Sequence, residues 1–509
     1  MRHPGLLVRL LLGTLILAAP AFLNRQPLLY EDIFAYLRGP AVLSLQLGGP
    51  RFENSWSRVQ TPLAAPTSEA AAGQAGAPAT MPAPPPKAER DVEAGRSIYW
   101  GSLAYLSWLA GGFWLLVVLQ AAIIAWLLDL LLLRCLRLGP GWYAGTLVAL
   151  LLLSPLSYYI AYVMPDLFAG IVILGAGLLV AFWRDLRQPE RAVLLLLVAF
   201  GVAAHGSHLA TLILLLVAGT LAALLRLTPA PRRAPLIALA ACVVMGIAAE
   251  LLFAQAVRLA LGHPPLRLPH MTAHLIELGP GLDYLRQHCG LGAPFAVCTY
   301  LDRLPTDWIS FLFESDPARG VFGVADAATR RRISEEQARF LLAVLAHDPW
   351  GTMLGLAADG LRQVVTFDLD DILYTPKRLD FFATYFPAEL AQGSTTTLLQ
   401  TRPWIPPLHQ AVIYAAAPLA AGAAGFALLR PGPAVRDPAW GQAGILALIV
   451  VAGLLANAVV CGVLASPYGR FQARVVWLLP MVALALMALR ARSLARLRVR
   501  RGREALGPA

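Results

Sequence analysis

The sequence predicts an all-α polytopic membrane protein with about ten transmembrane helices and a mainly helical extracytoplasmic domain. Three observations predict it. Of 509 residues, 58% are hydrophobic and only 14% charged, against about 45–50% and about 25% in soluble globular domains. The apolar residues gather in runs long enough for a bilayer core, which needs about 20 of them. The positive charge falls in short arginine clusters between those runs, and Lys occurs only at Lys87 and Lys377. This composition excludes an ordinary cytosolic enzyme, a disordered chain and a nucleic-acid-binding domain. The net charge of +11 therefore does not imply a nucleic-acid partner. Five cysteines in such a length exclude a disulfide scaffold.

In chain order, an N-terminal module (1–256) carries about seven spans, near 5–23, 112–134, 142–160, 167–183, 192–204, 209–225 and 235–256. A C-terminal module (409–491) carries three more, near 409–429, 442–465 and 475–491, ahead of a basic tail (492–509). Two stretches cannot span: the first loop, 24–98, and the region 257–408. With the N-terminus inside, the inside connections hold Arg134 and Arg137; Arg184, Arg187 and Arg191; Arg226, Arg232 and Arg233; and Arg430 and Arg436. The tail adds Arg490, Arg492, Arg496, Arg498, Arg500, Arg501 and Arg503. The positive-inside rule then puts both termini in the cytoplasm and both long polar stretches outside.

Two segments admit alternatives. Arg2 and Arg9 with the run ending Ala18-Ala19-Pro20-Ala21 read either as a retained helix or as a signal peptide. Residues 192–225 are interrupted by His205-Gly206-Ser207-His208. A hairpin there keeps the flanking arginine clusters on one side, with the histidines at its tip.

Residues 61–87 are Ala/Pro-rich and without apolar periodicity, the composition of a flexible insert. In 257–408, Ser334 with Gln337 fits a capping box ahead of an amphipathic helix that Asp348-Pro349 should end, and a second helix follows over about 350–366. Cys289 and Cys298, with eight residues between them, can pair in an oxidising compartment. Cys135, Cys242 and Cys461 read as packing residues. Tyr99, Trp100 and Tyr105 read as an interfacial aromatic belt.

Four groups could carry chemistry. Glu31 and Asp32 follow the first span, with Tyr36 one turn on from Asp32. A carboxylate there can act as a general base or hold a divalent cation beside a phosphate. It can also be a solvated pair at a helix start. Pro165-Asp166 before the fourth span is either an N-cap or a second acid on the same membrane face. His205 and His208 can bind phosphate or relay protons, but lack a third metal ligand. Tyr468, Arg470, Gln472 and Arg474 precede the last span on the outside, where arginine forks suit phosphate oxygens and also headgroup anchoring. There is no GxxxxGK[ST], HExxH or GxSxG motif, so nothing supports an ATPase, a zinc protease or a serine hydrolase.

An acid-bearing first loop, a Pro-Asp in the second and a late outside Arg-x-Gln-x-Arg ahead of the last span resemble polytopic glycosyltransferases of the GT-C fold class, most like its uncharacterised bacterial members. The resemblance implies inverting transfer of a hexose or pentose from a polyprenyl-phosphate donor to a glycan, lipid or protein acceptor at the outer face of a bacterial inner membrane. It implies that Asp32 is the catalytic acid or base, with Glu31 as neighbour or substitute. Asp166 becomes the second-loop acid. Arg470 and Arg474, with Gln472 and Tyr468, become donor-phosphate ligands, and His205, His208 and Tyr36 border the site. A divalent cation (Mg or Mn) at Asp166 and Asp32 is a further expectation. The alternative is a non-catalytic carrier or assembly protein for lipid-linked sugars or polysaccharide. It would use the same cations but no base.

Overall fold

The computed structural model describes residues 4–58, 92–225, 233–290, 292 and 294–505. The Ala/Pro-rich stretch 61–87 and the connection residues Arg226 and Arg232 lie outside the described residues. Among those described there is no strand, only two isolated β-bridges, Leu28 with Tyr162 and Glu93 with Leu266. The helices up to the second polar region are α1 (Pro4–Leu23), α2 (Asp32–Gly48), α3 (Ile98–Leu109), α4 (Trp114–Asp129), α5 (Pro140–Leu153), α6 (Leu156–Ala161), α7 (Leu167–Phe182), α8 (Gln188–Ala204), α9 (Gly206–Leu224) and α10 (Arg233–Leu261). A π-helical turn, Leu130–Cys135, prolongs α4. The polar region holds α11 (His270–Leu278), α12 (Pro280–His288), α13 (Trp308–Phe313), α14 (Ala327–His347), α15 (Pro349–Val365), α16 (Pro376–Tyr385), α17 (Ala388–Thr395) and α18 (Leu398–Thr401). The chain closes with α19 (Ile405–Leu429), α20 (Trp440–Leu464), α21 (Gly469–Val476) and α22 (Leu478–Ala505).

Among the described residues, seven helical stretches are long and apolar enough to cross a membrane: Gly5–Leu23, Trp114–Cys135, Gly206–Leu224, Arg233–Leu261, Ile405–Leu429, Trp440–Leu464 and Gly469–Val499. The other three expected spans are shorter. Residues 142–160 break at Ser154-Pro155 into α5 and α6, α7 has 16 residues, and α8 has 17. At about 1.5 Å per residue, 16 residues reach about 24 Å, less than a bilayer core. The short length of α7 has a physical basis. Its side chains are buried by neighbouring protein almost throughout, so its ends need not reach a lipid boundary.

Three local expectations are corrected and one is met. The α14 helix starts well before Ser334, because Asp326 caps it by accepting from Thr329 N at 3.0 Å. Ser334 and Gln337 sit inside the helix. Asp348-Pro349 does end α14, and Asp348 caps α15 through Gly351 N at 2.9 Å. Asp166 stands at the start of α7, but its side chain caps nothing. Trp100 and Tyr105 are buried, and only Tyr99 of that trio is exposed. Trp100 meets Tyr36 edge to face at 5.0 Å because α3 lies on α2. Gly101 makes that approach possible, since a Cβ there would collide with the carbonyl of Tyr36.

The buried residues of the region 257–408 fall into two apolar clusters. Residues 266–344 build their own apolar core around Leu275, Phe311, Ile333 and Phe340. Cys289 and Cys298 in this unit are joined by a disulfide, with Cα atoms 5.4 Å apart. Residues 367–399 join the main core instead. Phe386 packs on Trp56 at 5.2 Å, Tyr374 accepts from Leu29 N at 2.9 Å, and Asn24 accepts from Leu399 N at 3.1 Å.

Between the two parts, α15 crosses the end of α20. A Cβ on Gly462 would lie 2.7 Å from the Asp359 carbonyl and 3.1 Å from Gly360 Cα. Gly462→Val should therefore lower the thermal unfolding midpoint in detergent, by about 1–3 kcal/mol of overpacking. Gly422→Val, which faces open space on α19, should leave the midpoint within error.

Candidate functional site

One short pairing brings the first loop to the fourth expected span. Leu28 N donates to Ala161 O at 2.9 Å, and Val163 N donates to Leu28 O at 2.9 Å. Glu31-Asp32, at the start of α2, thereby come to lie beside Asp166, at the start of α7. The segment Tyr468–Arg474 enters the same space through α21. Its Tyr159 neighbour fixes it by donating a hydroxyl hydrogen bond to Arg470 O at 3.1 Å.

Arg470 is the centre of the cluster. Its guanidinium lies 4.0 Å from Asp32, 3.9 Å from Asp166 and 3.9 Å from Asp371, and over the Tyr30 ring at 4.2 Å. Its Nε and Nη1 are buried and have no hydrogen-bond partner. Arg96 holds Asp32 at 2.8 Å. Arg378 holds Glu31 at 2.7 Å and Asp371 at 3.2 Å. The four carboxylates Glu31, Asp32, Asp166 and Asp371 thus face the four guanidinium groups of Arg96, Arg378, Arg470 and Arg474. This balance is what burial demands, because an unpaired charge costs several kcal/mol there.

Arg474, one turn beyond Arg470, is engaged within the protein through its two terminal nitrogens, and only its Nε lacks a partner. It reaches Asp166 at 3.4 Å, Ser207 Oγ at 3.0 Å, Asn457 Oδ1 at 3.0 Å and Cys461 Sγ at 3.3 Å. Gln472 is likewise engaged: it donates to Leu454 O at 3.2 Å and accepts from Asn457 at 2.9 Å. Tyr468 donates its hydroxyl to Asp371 at 2.7 Å. Of the four residues expected to contact phosphate, Arg470 alone keeps its fork without hydrogen-bond partners on two nitrogens.

The histidines join through Ser207. Ser207 Oγ accepts from Arg474 and so donates to His205 Nδ1 at 2.8 Å, which also accepts from Ser207 N at 3.2 Å. His205 therefore carries its proton on Nε2. His208 faces Gly201 O with Nδ1 at 2.9 Å, so its proton is there, and its Nε2 is buried without a partner. The rings are 5.3 Å apart. They lie under Arg474 and border the cluster.

Among the described residues, no group of three or more His, Cys, Asp or Glu is arranged to hold a metal ion. Asp32, Asp166 and Asp371 are arranged instead around a guanidinium. In this arrangement the donors do not fit a divalent cation at Asp32 and Asp166, because Arg470 and Arg474 already supply the positive charge there.

Sequence reasoning misses Arg96, Asp371, Arg378, Tyr30 and His270. A signal for two of them existed: three acids in Asp368-Leu369-Asp370-Asp371, followed by Lys377-Arg378. Burial pushes the Tyr30 hydroxyl up to about 12 against the opposing pull of Arg470. Burial also raises Tyr468 and Tyr36, with Arg96 opposing at Tyr36. All three stay protonated near neutrality. His270 opens α11 against Trp308 at 5.7 Å, and its Nδ1 has no partner. Burial, reinforced by Arg96 and opposed by Asp32, pushes it down to about 4.

Fold and site together define a multi-pass helical membrane protein with a buried, charge-balanced arginine–carboxylate cluster at one end of its bundle. Compared with protein families, with curated proteins and with solved structures, the chain shows no significant match to any.

Two predictions follow from this geometry. Arg474→Ala leaves Asp166 buried without its closest cation and should destabilise the fold by about 3 kcal/mol or more. In a double-mutant cycle with Asp166→Asn, the two losses should fall well short of additive, read by thermal or denaturant unfolding. His270 binds its proton more weakly when folded than the usual 6.5, so between about 6.5 and 4 the unfolded chain takes up more protons. Stability should fall as pH drops through that window, and less steeply in His270→Gln.

Proposed function

We propose that the protein is an inverting membrane glycosyltransferase of the GT-C kind, moving a sugar from a polyprenyl-phosphate donor to a glycan, lipid or protein acceptor. The observation that carries this reading is the Arg470 fork. It is buried, lacks hydrogen-bond partners on Nε and Nη1, and is ringed by carboxylates from three separate segments. Buried polar groups are normally paired with protein, water or an ion, and two unpaired nitrogens on one fork suit the oxygens of a phosphate. Glu31 Oε2 and Asp371 Oδ2, also buried without partners, supply acceptors for sugar or acceptor hydroxyls.

In this reading Asp32 takes the proton of the acceptor hydroxyl, and the acceptor oxygen attacks the anomeric carbon from the face opposite the phosphate. The bond from that carbon to the phosphate oxygen breaks, and its electron pair leaves on the phosphate. Arg470 stabilises the resulting charge. Arg96 positions Asp32 through one carboxylate oxygen and leaves the other toward Arg470. Glu31, tied to Arg378 through one oxygen, is the alternative base. The full reading has ten spans, with α5–α6, α7 and α8 as the short ones. It has cytoplasmic termini and an extracytoplasmic site in a bacterial inner membrane.

The test is reconstitution into liposomes with polyprenyl-phosphate sugars, following both sugar consumption and donor binding. Asp32→Asn should keep binding and lose about 100-fold or more in turnover. Arg470→Ala should weaken donor binding more than Arg378→Ala does. Full turnover in Asp32→Asn would move the base to Glu31. Donor binding by the native chain with no consumption under any acceptor would instead establish the non-catalytic carrier.

A further inference from the structure

The helix α15 has its polarity inside out. Toward the protein it presents Thr352, Asp359, Gly360 and Gln363, all buried. Away from the protein it presents Trp350, Met353, Leu354, Leu361 and Val365, which are 58–74% exposed. Those positions recur every three or four residues, so they form one stripe, with exposed Ala357 and Ala358 filling the middle. The one charge on that side, Arg362, folds back to Asp359 at 3.2 Å. A helix bathed in water turns such a stripe inward. A helix bathed in hydrocarbon leaves it outside and satisfies its polar groups against protein.

The position of α15 points the same way. It rests on the end of α20, an apolar helix of spanning length. His274 clamps the junction, with Nδ1 toward Val463 O and Nε2 toward Asp359, both at 3.0 Å. The exposed side of α20 is equally apolar, through Val451, Leu455, Val459 and Leu464. The two apolar surfaces therefore meet at one packed junction. The preceding α14 changes along its length, from exposed Arg332, Glu335 and Arg339 to exposed Leu342, and then turns by 116° into α15. Both flanks of α15 return to the same end of the bundle. Before it, Trp308 meets the ring of Tyr468 at 6.1 Å. After it, Asp371 accepts from the Tyr468 hydroxyl. Chain on either side of α15 is thus tied to the same Tyr468.

We propose that α15 is a membrane-seated helix whose outer stripe lies among the acyl chains of the leaflet on the site side. Lipid is the partner of this surface. Its seating reaches the cluster through one side chain. Gln363, on the buried side of α15, donates to Tyr468 O at 3.0 Å and accepts from Tyr468 N at 2.8 Å. The same Tyr468 holds Asp371 beside Arg470. The inference rests on the membrane character of the bundle and not on the glycosyltransferase reading.

The test places nitroxide labels at Met353→Cys and Leu361→Cys, with Glu335→Cys on α14 as the water-facing control. The protein is reconstituted in phosphatidylcholine–phosphatidylglycerol vesicles. The three free cysteines are buried, and the unsubstituted chain gives the labelling background. Collision with oxygen should exceed collision with a water-soluble nickel chelate at 353 and 361, and the ratio should invert at 335. Chelate access at 353 and 361 equal to that at 335 would overturn the proposal. So would exclusion of both agents with spin–spin broadening between copies, which would put a second chain on the stripe. Independently of any label, acyl-chain-brominated lipid should quench the native protein more than Trp350→Phe. Equal quenching would count against the proposal.

Discussion

A guanidinium placed where water cannot reach it must be matched by carboxylates, and those must be brought from wherever the chain carries them. This constraint shapes the site end of the molecule. Arg474 draws in Asp166 from α7, Ser207 from the start of α9, and Asn457 and Cys461 from α20. Four elements are thereby tied at one buried point. Arg378 does the same for Glu31 in the first loop and Asp371 in the polar region. Each cation has acids from elements distant in sequence, so the cluster forms only when the whole end of the bundle has assembled. Removing one member strands the others in low dielectric, which makes the network cooperative.

The apolar background makes part of this readable in the sequence. With only 14% of residues charged, a charge between two spans stands out, and Asp32, Asp166, Arg470 and Arg474 all do. In the polar region the acids 368–371 and the bases 377–378 mark a charged stretch but not its partners, since Arg378 meets Glu31 across 347 residues, a pairing no local pattern encodes. Local motifs also mislead where a stronger signal lies upstream. Ser334 and Gln337 have capping-box spacing, yet Asp326 has already started the helix. The aromatic trio 99–105 has the composition of an interfacial belt, but the small Gly101 lets α3 lie against α2 and bury two of the three.

Periodicity has a similar limit in α15. The spacing of Trp350, Met353, Leu354, Leu361 and Val365 gives an amphipathic helix in either solvent. Which face turns inward depends on what surrounds the helix, and periodicity carries no information about that. Only the burial of Thr352, Asp359 and Gln363, set beside the exposed apolar stripe, separates the two cases. The polar face is then no defect. It supplies the groups that grip His274 of α11 and Tyr468.

Arg470 and Arg474 are the same residue type one helical turn apart, and their difference follows from depth. Arg474 lies where the bundle packs tightly, and a hydroxyl, an amide, a thiol and a carboxylate close around it. Arg470 lies where four segments converge without interlocking. Its carboxylates stop at 3.9–4.0 Å, near enough for attraction and too far for good hydrogen bonds. The ring of Tyr30 covers one face of the fork, and Nε and Nη1 are left without hydrogen-bond partners. The folded chain can hold such a group in place because Arg96 and Arg378 keep Asp32 and Asp371 from collapsing onto it. The pairs made by Arg96 and Arg378 thus fix the carboxylates that surround Arg470.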